Sequence, residues 1–269
     1  MNKSPKNIAI RPLSGSIGAA VTGMNLSELN ADQFSTLHEA FLDNCMLVFP
    51  AQHLGVDDFV AFSDWWGEIV TTSFLQYLEG HHGVSKLFNR GKAGSVTGNW
   101  HSDTPFLPKP PSINFLSAFD VPIGGDTMWS NQYLAYESLS PGMQEMLSGL
   151  RIEFNGESLA GLINSQEELR NFHPVVRTHP ETGRKSLFVG SPSGTARRFE
   201  GMTEAESYPL IEWLYQHSSQ PHRVYRHHWN NGDVVMWDNR CTLHYAVHDH
   251  GEDASRELYR ITTKGEKPV

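Results

Sequence analysis

The strongest constraint on the fold is the punctuation of the chain beyond residue 110. Short apolar or alternating runs follow one another, each closed by turn residues: "SINFLSAF" (112–119), the turn "DVPIGGD", then "TMWSN" (127–131). "VVRTHPETGRKSLFVG" (175–190) reads as two strands around a Pro/Gly turn. "RVYRHHW" and "VVMWDN" read as a β-hairpin with Asn-Gly at its tip, and "RELYRITTKG" as a closing strand. Strands this short cannot bury their apolar faces singly and need a second sheet to pack on. The pattern predicts a β-sandwich or a jelly roll, and periodicity does not choose between them.

The helical signal is confined to the first half and to insertions. "NADQFSTLHEAFLDN" (30–44) places Phe34, Leu37, Phe41 and Leu42 on one helical face, with Asn30 or Asp32 as the cap. "GVDDFVAFSDWWG" (55–67) reads as a second helix, while "NIAIRPL" (7–13) and "CMLVF" (45–49) read as strands. "NQYLAYESL" and "PGMQEMLSGL" are two further helices, the latter with Pro141 in its first turn. "TEAESYPLIEWLYQHSS" opens on a capping-box pattern, Thr203 to Glu206, with Pro209 expected to kink or delay the helix. The fold class is therefore mainly β with flanking helices (α+β). No linker, charge block or repeat divides residues 1–269, which we read as one domain.

Composition narrows the partners. A net charge of −9 without acidic or basic runs argues against nucleic acid or an anionic membrane as partner. No stretch approaches the length of a membrane span and the start lacks an apolar leader core, so a cytoplasmic location is expected. Cys45 and Cys241 sit in apolar, strand-like surroundings and are expected to be buried free thiols rather than a disulfide.

The chemistry starts at "NWHSD" (99–103), the only His-x-Asp of the chain. Residues two apart on an extended segment point the same way, so His101 and Asp103 could share one ligand. Two donors are too few for a transition metal; a two-His, one-carboxylate set needs a third ligand from elsewhere. His81, His82, His227 and His228 read as surface or strand-face residues, and His173 and His179, each before Pro, as turn residues. His244 differs, lying just past the apolar run "VVMWDNRCTL" where a side chain can reach a barrel mouth. On the terminal strand, alternation places Arg256, Leu258, Arg260 and Thr262 on one face, with the two arginines about 13 Å apart. If that face points inward, each guanidinium needs an anion, because a buried unpaired charge is costly. If it points outward, surface Glu serves. Thr127, just after the "GGD" turn, adds a hydroxyl.

"NWHSDTPFLPKPP", "GGDTMWSN", "HPVVRTHPETGRKSLFV", "GDVVMWDNRCTLHYAV" and "RELYRITTKGEKP" occur in the order and approximate spacing of one enzyme family. From about residue 8 onward, the chain resembles the taurine dioxygenase / 2,4-dichlorophenoxyacetate dioxygenase family of Fe(II)- and 2-oxoglutarate-dependent oxygenases. The resemblance implies a double-stranded β-helix (jelly-roll) core, with His101, Asp103 and His244 as iron ligands. It implies that Arg256, aided by Thr127, grips the far carboxylate of 2-oxoglutarate, and that Arg260 meets the acidic group of the prime substrate. With O2, the outcome implied is oxidation of a C–H bond of a small anionic molecule, with release of succinate and CO2. Asp103 fills the place a halide takes in related halogenases, which argues against halogenation. Substrate contacts are expected from Thr72, Asn99 and Ser193 as well. Thr72 stands where taurine-using members carry a histidine, so taurine itself is not the expected substrate. Ser193 stands where an aromatic wall residue is expected, which leans towards the phenoxyacetate-like branch. Residues 156–172 match a lid, with Leu159, Leu162 and Ile163 as pocket contacts, and family members are often homodimers or tetramers. Three other readings stay open: a non-catalytic metal- and 2-oxoglutarate-binding jelly roll, a desaturase of the same class, and a zinc hydrolase. The last leaves Arg256 and Thr127 without a role.

Overall fold

The computed structural model describes residues 8–72, 75–90, 98–157, 169–251 and 253–269. Strands β1 (Ala9–Pro12) and β2 (Ala19–Thr22) lead into helix α1 (Ala31–Asn44), strand β3 (Met46–Phe49), helix α2 (Val56–Asp64) and strand β4 (Ser85–Arg90). Then come β5 (Ile113–Asp120), β6 (Thr127–Asn131), helices α3 (Gln132–Glu137) and α4 (Pro141–Ser148), β7 (Arg151–Asn155), β8 (Arg170–Pro174), β9 (Val176–Thr178), β10 (Lys185–Leu187) and β11 (Ala196–Phe199). Helix α5 (Glu204–Ser218), β12 (Val224–His227), β13 (Val234–Asp238), β14 (Thr242–Ala246) and β15 (Ser255–Thr262) complete the order.

Seven strands form the major sheet in the order β1-β2-β3-β13-β5-β15-β4, and β12-β6-β14 form a smaller sheet. Strands β2 and β3 are parallel, and the other pairs of both sheets are antiparallel. The apolar run of β13 is continuous because both of its faces are buried. Val235 and Trp237 join Leu116, Ala118 and Leu258 of the major sheet and Trp129 of the smaller one, which makes the interior of the jelly roll. Val234 and Met236 point the other way, to Phe115 and Ile261 and to Phe41 of α1 and Phe59 of α2, which roof the sheet. Two-residue alternation thus sorts one strand between two cores. A third core gathers α4, α5, β7 and β11 around Phe154 and Phe199. Among the described residues no helix is long and apolar enough to cross a membrane.

Local chemistry explains the element ends. Asn30 caps α1 in a capping box with Gln33, and Thr203 caps α5 in one with Glu206, each worth about 1 kcal/mol. Pro209 does not delay α5, which begins at Glu204 and runs through it. Cys45 closes α1 in the left-handed region, φ 62°, and both Cys45 and Cys241 are free and buried.

Two expectations are corrected. The segments around Asn231-Gly232 are not a hairpin: β12 pairs with β6, while β13 pairs with β3 and β5. Both edges of β13 are taken, so the Asn-Gly turn is a corner where the chain crosses from one sheet to the other. His244 does not follow a strand; it sits in the middle of one, β14. The structure also contains short strands that periodicity did not show, among them β2, β4, β7, β8 and β11.

Candidate active site

The segment carrying Asn99 to Asp103 lies along β14, where His101 and His244 exchange backbone hydrogen bonds of 3.0 and 2.8 Å. That pairing brings their rings to 4.1 Å between centroids. His101 Nδ1 donates to the Asn99 carbonyl at 2.7 Å, which fixes the tautomer and leaves Nε2 with its lone pair. His244 Nε2 is 3.7 Å from Asp103 Oδ2, and one donor atom from each of His101, Asp103 and His244 lies within 4.8 Å of the others. Burial, reinforced by His101, pushes the His244 imidazole down to about 3, so it is a neutral donor at physiological pH. Burial would raise the Asp103 carboxyl, but the Arg260 guanidinium and the two imidazoles outweigh it and hold it below the usual range.

These three residues open on a cavity of about 110 Å³, walled by Leu87, Leu116, Trp237 and Ala246 and by the polar groups of Thr127, Arg256 and Arg260. Both arginines face inward from β15, with the fully buried Leu258 between them. Arg260 Nη2 is 2.9 Å from Asp103 Oδ2 and 3.5 Å from Asn114 Oδ1. Arg256 makes no ion pair among the described residues. Its Nη2 donates to Thr127 Oγ1 at 3.2 Å, and its guanidinium lies 5.8 Å from the centre of the Trp229 ring. Burial lowers its pKa to about 10, with Asp126 pulling the other way. Thr127 Oγ1 also accepts from Trp229 Nε1 at 3.0 Å. With two donors already aimed at that oxygen, the hydroxyl proton is free for an acceptor in the cavity.

His101, Asp103, His244, Thr127, Arg256 and Arg260 therefore converge. Thr72, Asn99 and Ser193 are not on the cavity wall. The Thr72 N–H donates to Tyr77 Oη at 2.6 Å beside a separate open groove. Asn99 contributes its carbonyl to His101, and Ser193 is exposed, 2.9 Å from Ser191 Oγ. The lid expected over 156–172, with Leu159, Leu162 and Ile163, falls mostly on residues outside the described ones. His173 lies in β8 rather than in a turn and bonds the Leu107 carbonyl, whereas His179 does open the turn before β10; both are deeply buried, and His179 pairs with Asp238. His227 is buried too, 3.2 Å from Asp233. Sequence reasoning missed Trp229, Trp237, Asn114 and Asn239, whose apolar or amide side chains carry no motif signal.

Two imidazoles and a carboxylate converge inside the jelly roll with two arginines behind them, a donor set of the kind that can hold one metal ion. The chain belongs to the family described as taurine catabolism dioxygenase TauD, TfdA family, which matches residues 9–262, and it is an α-ketoglutarate-dependent dioxygenase. An alkylsulfatase of Acinetobacter baylyi is 33% identical over 279 residues, covering 97% of this chain and 86% of that protein. An α-ketoglutarate-dependent 2,4-dichlorophenoxyacetate dioxygenase of Cupriavidus pinatubonensis is 35% identical over 285 residues, covering 96% and 98%. The crystal structure of a taurine dioxygenase from Burkholderia xenovorans superposes with a TM-score of 0.86 at 35% identity, covering 97% of this chain and 92% of that one.

Proposed function

We propose that this dioxygenase holds Fe(II) on His101, Asp103 and His244 and hydroxylates a C–H bond of a small anionic organic molecule. The anion is a carboxylate, a sulfonate or a sulfate ester. 2-Oxoglutarate and O2 are consumed; one oxygen atom enters the product alcohol and the other the succinate, and CO2 leaves. The donor set fits the metal: two imidazoles and one carboxylate on one side leave the opposite side open to the cavity. Iron there would supply the centre at which dioxygen is activated.

The chain's own groups bind and orient. Arg256 is a buried cation without a carboxylate partner among the described residues, and the far carboxylate of 2-oxoglutarate supplies one, with the Thr127 proton as a further donor. Arg260, two strand repeats away, is paired to Asp103. Once a divalent metal neutralises that carboxylate, the guanidinium is left to a second anion, the acidic group of the substrate. The names of two relatives, an alkylsulfatase and a 2,4-dichlorophenoxyacetate dioxygenase, support acidic substrates of this size. Leu87, Leu116 and Trp237 supply the dry wall against which the carbon skeleton lies.

The observation that carries this reading is the His101/Asp103/His244 cluster flanked by a buried arginine with no acid of its own among the described residues. A screen of small carboxylates, sulfonates and sulfate esters with Fe(II) and 2-oxoglutarate should find substrate-dependent succinate release. Absence of succinate with every acid offered would sink the proposal. Arg260→Leu should raise the KM for the substrate by about 100-fold while moving that for 2-oxoglutarate far less. Equal effects on both would remove Arg260 from the substrate side.

A further inference from the structure

We propose that Asn239 is the positioning residue of the metal-binding carboxylate, pinning the backbone of Asp103 in a strained turn that aims its side chain at the two imidazoles. The inference rests on the reading of Asp103 as a metal ligand. Asn239 is 1% exposed and does not line the cavity, so it touches neither substrate nor metal. Its Oδ1 accepts the Asp103 N–H at 2.8 Å, and its Nδ2 donates to the Asp103 carbonyl at 3.2 Å and to the Pro111 carbonyl at 2.9 Å. One side chain thus holds both backbone polar groups of the ligand residue. Only a primary amide offers an acceptor and two donor hydrogens in that space. A carboxylate would face two carbonyls with oxygen, and an aliphatic group would leave three buried partners unmet.

The turn needs holding. Thr104, the residue after the ligand, has φ +43°, a region costly for a β-branched side chain, and it precedes Pro105, which restricts its backbone further. Thr104 Oγ1 is buried without a partner among the described residues, so the turn is not held by its own side chain. Asn239 is itself fixed. Its N–H donates to the Ser112 carbonyl at 2.9 Å. The neighbouring Asp238 carboxylate is gripped by Arg240 and His179, and Thr242 Oγ1 donates to the Asp238 carbonyl at 2.7 Å. The same turn runs directly into β14 and His244. The tight corner between two strands therefore sets the position of two of the three donors.

The test uses metal-free full-length protein titrated anaerobically with Co(II), read by its visible absorption, so no turnover is needed. Asn239→Ala should weaken Co(II) binding about 10- to 100-fold, the range for residues that orient metal ligands, and change the absorption band. Thr104→Gly, which accepts positive φ without a Cβ penalty, should recover at least about threefold of that loss in the Asn239→Ala background. A merely structural role predicts a lowered melting temperature with the wild-type Co(II) constant and spectrum. That outcome, or a loss that Thr104→Gly leaves untouched, overturns the inference. If Asn239→Ala does not fold, Asn239→Ser breaks the same bonds and is read by the same criteria. Failure of the wild type to bind Co(II) at all would count against the metal reading instead.

Discussion

Gly125 shows how a residue without functional groups can control one that has them. Its φ is +72°, and a Cβ there would stand 3.0 Å from Arg256 Cδ and 3.4 Å from His250 Nδ1. Gly125→Ala is both strained and crowded, and the group that must give way is Arg256, the cation proposed to grip 2-oxoglutarate. Because small displacements at a binding group are expensive, the KM for 2-oxoglutarate should rise about tenfold or more, with a smaller effect on the substrate. Steady-state kinetics with each reactant varied in turn will show it; unchanged 2-oxoglutarate kinetics would mean that Arg256 is free to shift. At this scale the sequence discloses the residues whose side chains converge on the cavity: His101, Asp103, His244, Thr127 and the arginines of the last strand. It hides Gly125, Asn239 and Trp229, which act by fitting atoms remote in the chain. The amide of Asn239 and the backbone of Asp103 are 136 positions apart.

Among the elements, β8 is the one that ties the third core to the segment following the metal-site turn. Asn171 Nδ2 donates to the Phe106 carbonyl at 2.6 Å, and His173 Nε2 bonds the Leu107 carbonyl at 3.0 Å while its ring packs between Phe154 and Phe188. Burial lowers the His173 imidazole to about 4 from its ordinary 6.5, although its carbonyl bond pulls the other way. The sign follows from linkage. The unfolded chain takes up a proton below 6.5 and the folded protein does not until about 4. This contribution is therefore intact above 6.5 and is lost as pH falls through that window, by roughly 3 kcal/mol at its foot. His173→Gln should flatten that part of the profile when urea midpoints of variant and wild type are compared at about pH 7 and about pH 4.5. Parallel profiles would mean that His173 is protonated in the folded state. The sequence placed His173 in a turn because Pro follows it, yet that proline is the last residue of β8, an edge strand, where its missing N–H is tolerated. The Asn-Gly corner misled for a related reason. Turn chemistry fixes the local bend, whereas pairing is decided by whichever strands flank the bend in space.

At the scale of the whole molecule, short strands with turn punctuation were enough to call for two packed sheets, and helices α1 and α2 were readable from their spacing and caps. The choice of jelly roll was not in the periodicity, because β13 finds both its partners, β3 and β5, far earlier in the chain, one at each of its edges. The same packing has a practical corollary. Cys45 and Cys241, 1% and 2% exposed, lie in the core between the sheets, and burial pushes the Cys241 thiol well above its usual range. An aromatic disulfide reagent should find no thiol in the native protein within the mixing time, and then label both cysteines together at a rate set by opening of the sandwich. Immediate labelling of either would mean that the inner core breathes. The two sulfurs give this oxygen-handling protein an internal clock for its own unfolding, readable with no fluorophore attached and shielded from oxidants for as long as the sheets stay closed.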